Sequence, residues 1–234
     1  MQHPIVSQEE WLIARKALLA KEKEEGRVRD EVNAARAALP WVRIEKDYAF
    51  DAKAGRKSLS DLFDGRDQLL VYHFMLGPDW TEGCPRCSFL CDHIGDTLPH
   101  LNNHGVTWTA VSRAPLALIE TYRQRMGWDF PWASSYDSDF NYDFHVSFTP
   151  EERASGGIDY NYARRPMNRD ELSGLSSFIR NEAGEIFHTY STYARGLEPL
   201  ATTLFLLDRT ALGRRETGSL SFVRRRDEYP NARK

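Results

Sequence analysis

Two cysteines, Cys84 and Cys87, stand three residues apart in the short motif Cys84-Pro85-Arg86-Cys87. A thiolate is the form of cysteine that attacks a disulfide, and a second thiol one helical turn away can attack the mixed disulfide that results. The spacing therefore predicts a redox dithiol in which Cys84 attacks and Cys87 resolves.

The elements on either side of this motif could place and activate the first sulfur. An unbroken apolar run from Leu69 to Leu76 has the length and composition of a strand buried on both faces. Apolar residues recur at helical spacing after the motif, so Cys84 is expected to cap a helix and Pro85 to fill its first position. Unpaired backbone N–H groups at that end, together with the charge of Arg86, would stabilise a thiolate at Cys84 and lower its pKa.

The same residues permit other interpretations. Free cysteine often packs as a small apolar side chain, so Cys84 and Cys87 could belong to the core. Cys91 follows Cys87 by four residues on the same helical face, which makes it a candidate third thiol, a metal ligand or a core residue. Because the pair follows a strand and has a proline at the helix start, the redox interpretation is favoured, and it requires no metal and no bound cofactor.

The composition limits the class of protein. The chain has 234 residues, with 31 Lys and Arg against 34 Asp and Glu and a formal net charge of −3, so no nucleic-acid partner is expected. No apolar run approaches the length needed to cross a bilayer, so no membrane association is expected. The N-terminal residues lack a secretory signal pattern and all three cysteines fall between Cys84 and Cys91, which together predict a cytoplasmic protein.

Three segments are expected along the chain. They are an N-terminal helical arm over 1–40, a central α/β domain over 41–214 and a C-terminal tail over 215–234. The arm could form a contact between copies of the chain in a homo-oligomer. The tail contains an arginine triplet at 224–226 and is expected to be exposed.

Local patterns predict the elements within these segments. In the arm, Ser7 and Glu10 match a capping box, and Gly26 is expected to separate one helix from the next. Alternating strands and helices in the central domain imply parallel strands joined by helical crossovers. The expected elements are arm helices over 7–25 and 28–39, a strand over 41–50 leading into a hairpin, the buried strand, the helix after Cys84, a strand over 106–111, a helix over 114–126, a short strand over 130–135, an inserted loop over 149–170, a hairpin over 175–191 and a final helix over 197–212.

Four stretches of sequence carry a family resemblance. They are YHFMLGPDWTEGCPRCSF from Tyr72, AVSRAPLALIETYRQRMGWDFP from Ala110, SSYDSDFNYDFHVSFT from Ser134 and FHTYSTYARGL from Phe187. The chain resembles a bacterial thioredoxin-like family of unknown function, within the thioredoxin superfamily, whose members are described as predicted dithiol–disulfide oxidoreductases. The resemblance implies an α/β, thioredoxin-like fold of the peroxiredoxin type, with a central sheet flanked by helices and an N-terminal helical arm. It also implies protein or small-molecule disulfides or thiols as partners.

Two departures from the thioredoxin pattern bear on the chemistry. Thioredoxins place a cis-proline before the strand that faces the dithiol, whereas this chain has Leu172-Ser173-Gly174 there. Thioredoxins also carry a buried aspartate in the central strand, where this chain has Tyr72 and His73. His73 could handle protons at the dithiol, or it could be a strand histidine bonded to a neighbour.

The loop before the motif also resembles that of peroxiredoxins, which orient a peroxide with a threonine and a distant arginine. Thr81 stands three residues before Cys84 as in that pattern, whereas Pro78 is one residue too close. The candidates for the arginine are Arg113, Arg123, Arg125 and Arg195. The sequence therefore predicts a thiol–disulfide oxidoreductase, with a thiol peroxidase and a non-catalytic binding protein on the same fold as alternatives.

Overall fold

A mixed sheet of eight strands organises the described part of the chain, residues 3–218 and 220–230 of a computed structural model. The strands are β1 (Val42–Arg43), β2 (Ala49–Ala52), β3 (Gly55–Ser58), β4 (Gln68–His73), β5 (Val106–Ser112), β6 (Trp132–Ser134), β9 (Gly174–Arg180) and β10 (Ile186–Tyr193), with β7 (Ile158–Tyr160) and β8 (Ala163–Arg165) in a separate hairpin. The α-helices are α1 (Gln8–Ala37), α2 (Pro85–Cys91), α3 (Leu98–Asn103), α4 (Leu116–Met126), α5 (Phe140–Asp143), α6 (Pro150–Ala154) and α7 (Thr202–Leu207). Short 3₁₀ turns lie at Ser60–Phe63, Gly95–Thr97, Ala194–Leu200 and Arg226–Glu228.

The sheet order is β1-β10-β9-β4-β5-β6-β2-β3. Strands β4, β5 and β6 run parallel, and helical segments connect them, whereas β9 pairs antiparallel with β4 and β10 antiparallel with β9. Parallel neighbours need such crossovers because the chain must return to the same end of the sheet. This arrangement confirms the predicted α/β thioredoxin-like fold, with a central sheet flanked by helices and a helix at the N-terminal end.

Strand β4 lies at the centre of the sheet and is buried on both faces, as its apolar run predicts. Tyr72 packs into the core that contains α2 and α4, whereas Leu69 and Val71 pack into the core that contains α5. Successive side chains of a strand point to opposite faces, so alternate residues of β4 supply the two cores. The dithiol helix therefore covers the face to which Tyr72 points.

The N-terminal helix differs from its prediction. The capping box of Ser7 and Glu10 is present, but α1 continues through Gly26 as one helix of 30 residues. A glycine within a helix costs about 1 kcal/mol relative to alanine, which the strong helix formers on either side offset. This helix lies in a compact unit that ends at Pro40, and the strands belong to a second unit that begins at Trp41. Among the helices of the described ranges, none combines the length and apolar composition that a bilayer span needs.

Other elements of the second unit match in part. The predicted hairpins form as β2–β3 and β9–β10, and α4 ends at Gly127, whose φ of 63° suits glycine. The expected loop over 149–170 is wrong, since it contains α6 and the hairpin β7–β8. The final helix over 197–212 is also wrong, because Pro199 lies in a 3₁₀ segment and α7 is only six residues long. Only two short strands replace the strand expected over 41–50.

Candidate functional site

The motif cysteines lie where the loop from the carboxyl end of β4 enters α2. Cys84 is the N-cap residue and Pro85 is the first residue of the helix, as the sequence predicts. The N–H of Cys84 donates to the carbonyl of Met75 at 3.1 Å, and the carbonyl of Cys84 accepts from the N–H of Ser88 at 2.9 Å. The backbone of Cys84 is thereby tied to both the strand end and the first turn of the helix.

The two sulfurs differ in exposure and in acidity. Cys84 is partly exposed, whereas Cys87 is buried. A hydrogen bond from the Cys87 side chain, helped by the backbone N–H groups of Cys87 and Arg86, lowers the pKa of Cys84 to about 6 against the opposing effect of burial. Burial raises the pKa of Cys87 well above its usual range, and the interaction with Cys84 raises it further. At neutral pH the arrangement favours a thiolate at Cys84 and a thiol at Cys87.

Arg86 and Thr81, two further residues predicted to act at the thiolate, lie in the exposed part of the loop and helix. Arg86 is exposed, and its charge adds to the stabilisation of the Cys84 thiolate. Thr81 is also exposed. The four candidate arginines each form an ion pair: Arg113 with Glu171, Arg123 with Glu120, Arg125 with Glu82 and Asp227, and Arg195 with Glu198. Their charges are therefore already shared with carboxylates.

The structure places His73 on the face of the sheet opposite the cysteines. Its Nε2 lies 2.8 Å from the hydroxyl of Ser176, and its ring stacks on Phe140 and Phe144 at centroid distances of 5.5 and 5.6 Å. Alternation along β4 turns Tyr72, rather than His73, towards the dithiol helix. His73, which was predicted to handle protons, thus lies away from the sulfurs. Its contact with Ser176 matches the other interpretation from the sequence, a strand histidine bonded to a neighbour.

Cys91 lies one turn beyond Cys87 on α2 and is buried. Burial raises its pKa well above the usual range, and the charge of Asp92 raises it further. Within residues 3–218 and 220–230, no group of three or more His, Cys, Asp or Glu side chains is arranged to hold a metal ion. The geometry of Cys91 is that of a core thiol beside the dithiol.

The C-terminal segment, predicted to be exposed, supplies a buried arginine to the cysteine loop. Arg225 is 8% exposed, and its Nε and Nη2 donate to the carbonyl of Gly83 at 3.0 and 2.7 Å. Its Nε also donates to the hydroxyl of Tyr122 at 3.1 Å, and its guanidinium pairs with Glu82 at 3.0 Å and Glu228 at 2.7 Å. The expectation of an exposed tail is therefore wrong for Arg225, because these acceptors compensate for its lost hydration.

A buried hydrogen-bonded chain continues from this arginine to the helix start. The hydroxyls of Tyr122 and Ser88 lie 2.7 Å apart, and the Ser88 hydroxyl donates to the carbonyl of Cys84 at 2.9 Å. The carbonyls of Gly83 and Cys84 are thus both held by buried side chains. Sequence reasoning missed these residues, although polar side chains on the apolar faces of two predicted helices are a usable signal for Ser88 and Tyr122.

Gly83 is required where it stands because the loop passes close to two aromatic rings. A Cβ atom at this position would lie 2.5 Å from a ring carbon of Tyr122 and 2.7 Å from one of Phe74. Those distances are far below van der Waals contact, so only glycine lets the chain approach the rings and deliver Cys84 to the helix start.

Comparisons with known proteins give one family and several distant structural likenesses. A family model described as "Bacterial protein of unknown function (DUF899)" matches residues 1–229, which confirms the resemblance read from the four sequence stretches. A search of curated protein sequences gives no match.

The similar solved structures include three peroxiredoxins. Peroxidoxin BcpB from Mycobacterium tuberculosis has a TM-score of 0.47 at 11% identity and covers 72% of this chain and 97% of its own. A cysteine-to-serine mutant of PrxQ from Xylella fastidiosa has a TM-score of 0.43 at 15% identity, covering 68% and 88%. The mitochondrial 2-Cys peroxiredoxin from Plasmodium falciparum has a TM-score of 0.41 at 14% identity, covering 70% and 92%.

Proposed function

We propose that this chain, which belongs to the bacterial family of unknown function DUF899, is a thiol–disulfide oxidoreductase. The observation that carries the proposal is the asymmetry of two cysteines one helical turn apart. Cys84 is partly exposed with a pKa lowered to about 6, whereas Cys87 is buried with a raised pKa. One accessible thiolate beside one shielded thiol is the pair of groups that disulfide exchange requires.

The reaction follows from this asymmetry in two steps. The Cys84 thiolate attacks one sulfur of a substrate disulfide, and the other sulfur leaves as a thiolate that takes a proton from water. Cys87 then attacks the Cys84 sulfur of the mixed disulfide, and the bond from Cys84 to the substrate breaks. The substrate leaves as a thiol with the proton that Cys87 gives up, so the substrate gains two electrons and Cys84 and Cys87 become a disulfide. These steps use no metal and no bound cofactor.

The substrates that fit this chemistry are protein or small-molecule disulfides, or thiols when the reaction runs in reverse. A cytoplasmic location, in which reductants would restore the dithiol, is part of the proposal. A contact between copies through the N-terminal arm stays a prediction from the sequence, as do the segment boundaries after residues 40 and 214.

Trapping of the intermediate tests the proposal. Reduced protein mixed with glutathione disulfide should lose two hydrogens by intact mass and form the Cys84–Cys87 disulfide. Cys87→Ser should accumulate a mixed disulfide with glutathione at Cys84, whereas Cys84→Ser should not react. Cys91→Ser is the matched control and should behave as the wild type. Unchanged oxidation of Cys84→Ser, or a wild type that never forms the Cys84–Cys87 disulfide, would contradict the proposal.

A thiol peroxidase is the alternative outcome, because a thiolate at Cys84 could also attack a peroxide. Stopped-flow mixing with hydrogen peroxide distinguishes the two activities. Rapid peroxide consumption that is lost in Thr81→Val, together with slow glutathione exchange, would replace the oxidoreductase by a peroxidase. Full biological activity of Cys84→Ser would favour a binding protein instead.

A further inference from the structure

A buried phenol lies on the dithiol side of the sheet and takes no part in the steps above. Tyr72 is 1% exposed, and its hydroxyl makes no hydrogen bond of ordinary geometry to any described residue while the cysteines are reduced, although it interacts with the side chain of Cys87. Nearly all buried polar groups in folded proteins are well hydrogen-bonded, so a buried hydroxyl without a well-formed hydrogen bond needs an explanation.

The ionisable groups around this hydroxyl are sulfurs. Burial, followed by the charges of Cys87 and Cys91, a side-chain hydrogen-bonding interaction with Cys87 and the charge of Cys84, raises the pKa of Tyr72 well above its usual range. The phenol therefore stays protonated and can act as a hydrogen-bond donor but not as a base. Its ring is stacked on Trp108 with centroids 6.2 Å apart, so the hydroxyl is held where it is.

We propose that Tyr72 serves the resolving step by donating a hydrogen bond to the Cys87 sulfur when that sulfur becomes a thiolate. The inference rests on the proposed function. In the reduced protein Cys87 keeps its proton and shares it with Cys84, so the phenol faces a neutral sulfur, which is a poor acceptor, and its interaction with Cys87 falls short of a hydrogen bond of ordinary geometry.

The situation changes once Cys84 is bound in a mixed disulfide. Cys84 then no longer accepts the Cys87 proton, and Cys87 must lose it to become a nucleophile. The new bond joins Cys87 to Cys84, the bond from Cys84 to the substrate breaks, and the substrate thiolate takes up the proton. A donor that is already desolvated and oriented at the sulfur that becomes negative stabilises this step without reorganising. The Tyr72 hydroxyl also works against the raised pKa of Cys87, whose main cause is burial.

Tyr72→Phe removes the hydroxyl and keeps the ring. A hydrogen bond to a charged group is worth enough to slow the resolving step by about 10- to 100-fold when it is lost. The first step should be unaffected, because the pKa of Cys84 is set by Cys87 and the backbone N–H groups rather than by Tyr72.

An aryl disulfide that releases a coloured thiolate distinguishes the attack by Cys84 from the resolution by Cys87. Attack by Cys84 on bis(nitrobenzoate) disulfide releases one thionitrobenzoate, and resolution by Cys87 releases the second, so stopped-flow absorbance shows two phases. In Tyr72→Phe we expect an unchanged first phase and a second phase about 10- to 100-fold slower, with its pH midpoint moved upwards by about one to two units. Tyr193→Phe is the matched control, because its buried hydroxyl donates to the carbonyl of Phe144 at 3.1 Å and should leave both phases unchanged.

Fluorotyrosine at position 72 gives a second variant of nearly the same shape. Its phenol is a stronger donor, so the second phase should become faster than in the wild type. Equal second phases in Tyr72→Phe and the wild type would overturn the inference, and so would an equal slowing of both phases, which marks a packing defect. A wild type with no second phase would remove the proposed function and this inference with it. A normal wild type with an unaffected Tyr72→Phe would remove the inference alone.

Discussion

Replacing Cys87 by alanine should raise the pKa of Cys84, because the Cys87 side chain is the largest cause of its lowering to about 6. A hydrogen bond to a charged group contributes about 1.5–3 kcal/mol, and one pKa unit corresponds to about 1.4 kcal/mol. Its loss therefore predicts a rise of about one to two units. Removing the buried thiol leaves a small cavity but no unpaired charge, so the helix start should persist.

The other causes that lower the pKa of Cys84 are the backbone N–H groups of Cys87 and Arg86 and the charge of Arg86. Each should contribute less than the Cys87 side chain. The Arg86 side chain contributes only by its charge and is exposed, so Arg86→Gln should raise the pKa of Cys84 by a few tenths of a unit. The backbone N–H of residue 86 remains in that variant and keeps its share. Cys91→Ala is the control, since Cys91 is not among the causes of the lowered pKa.

The rate of alkylation by iodoacetamide measures this pKa directly, because only the thiolate reacts. The modified peptide is identified by mass spectrometry, which separates Cys84 from the buried Cys87 and Cys91. The midpoint of rate against pH should lie near 6 in the wild type and about one to two units higher in Cys87→Ala. A midpoint that does not move in Cys87→Ala, or that moves further in Arg86→Gln, would refute the reasoning that hydrogen bonding dominates over charge.

Three further predictions concern stability, with urea unfolding as the measurement. In Gly83→Ala the free energy of unfolding should fall by about 1–3 kcal/mol, because the new Cβ would lie 2.5 Å from a ring carbon of Tyr122. Gly26→Ala should be tolerated, because its new Cβ would lie 3.9 Å from the nearest atom. In Arg225→Met the free energy of unfolding should fall by about 2–4 kcal/mol, because the buried carbonyl of Gly83 loses its donors. In Arg226→Met it should fall by less than about 1 kcal/mol, since Arg226 is largely exposed. Burial lowers the pKa of His73 to about 3, so the unfolded chain binds more protons between about pH 3 and 6.5. The free energy of unfolding should therefore fall as the pH falls through that range, and His73→Gln should flatten the fall; an unchanged slope would contradict this cause.

The parts of the fold that the sequence predicts well have signals within a few residues. The apolar run of β4 can only be satisfied by burial on both faces, and Pro85 fixes where α2 begins, because its missing N–H is harmless only in the first turn. Gly127 likewise ends α4, because its backbone adopts the left-handed conformation. Such signals act locally, so no knowledge of tertiary contacts is needed to use them.

Two helices, the N-terminal one and the last one, were predicted with the wrong bounds because helix-forming and helix-breaking residues compete in them. The cost of Gly26 is small beside the cooperativity of a helix of 30 residues, so the helix continues. Pro199 weighs more, because it removes a backbone donor and clashes with the preceding turn, and the last helix shrinks to Thr202–Leu207. A breaker within a helix must be weighed by its energy rather than by its presence.

The sequence could not decide whether Tyr72 or His73 faces the cysteines, and the cause is of a different kind. In a strand with one wet face, alternation of polar and apolar residues shows which side chains point inwards. Strand β4 is buried on both faces, so that alternation is absent and either residue could have faced the cysteines. Only the packing of α2 decides that Tyr72 does.

The arginine that anchors the cysteine loop could not be found from local sequence either. Arg225 and Gly83 are 142 residues apart, and Arg225 stands in a triplet whose members look alike. Its guanidinium can be buried because it finds four acceptors, on Gly83, Tyr122, Glu82 and Glu228. These acceptors come from distant parts of the sequence and lie together only in the folded chain.

The hydrogen bonds from Arg225 to the Gly83 carbonyl connect the C-terminal segment to the cysteine loop. The N–H of Cys84 is bonded to Met75 and its carbonyl to Ser88, while the carbonyl of Gly83 is bonded to Arg225. With these groups occupied, the N–H groups of the first helical turn remain oriented towards the Cys84 sulfur, which they help to ionise. A chain ended at residue 214 would leave the Gly83 carbonyl without the donors that Arg225 supplies. We therefore expect the segment after residue 214 to act on the reactivity of Cys84 through the backbone that Arg225 holds in place.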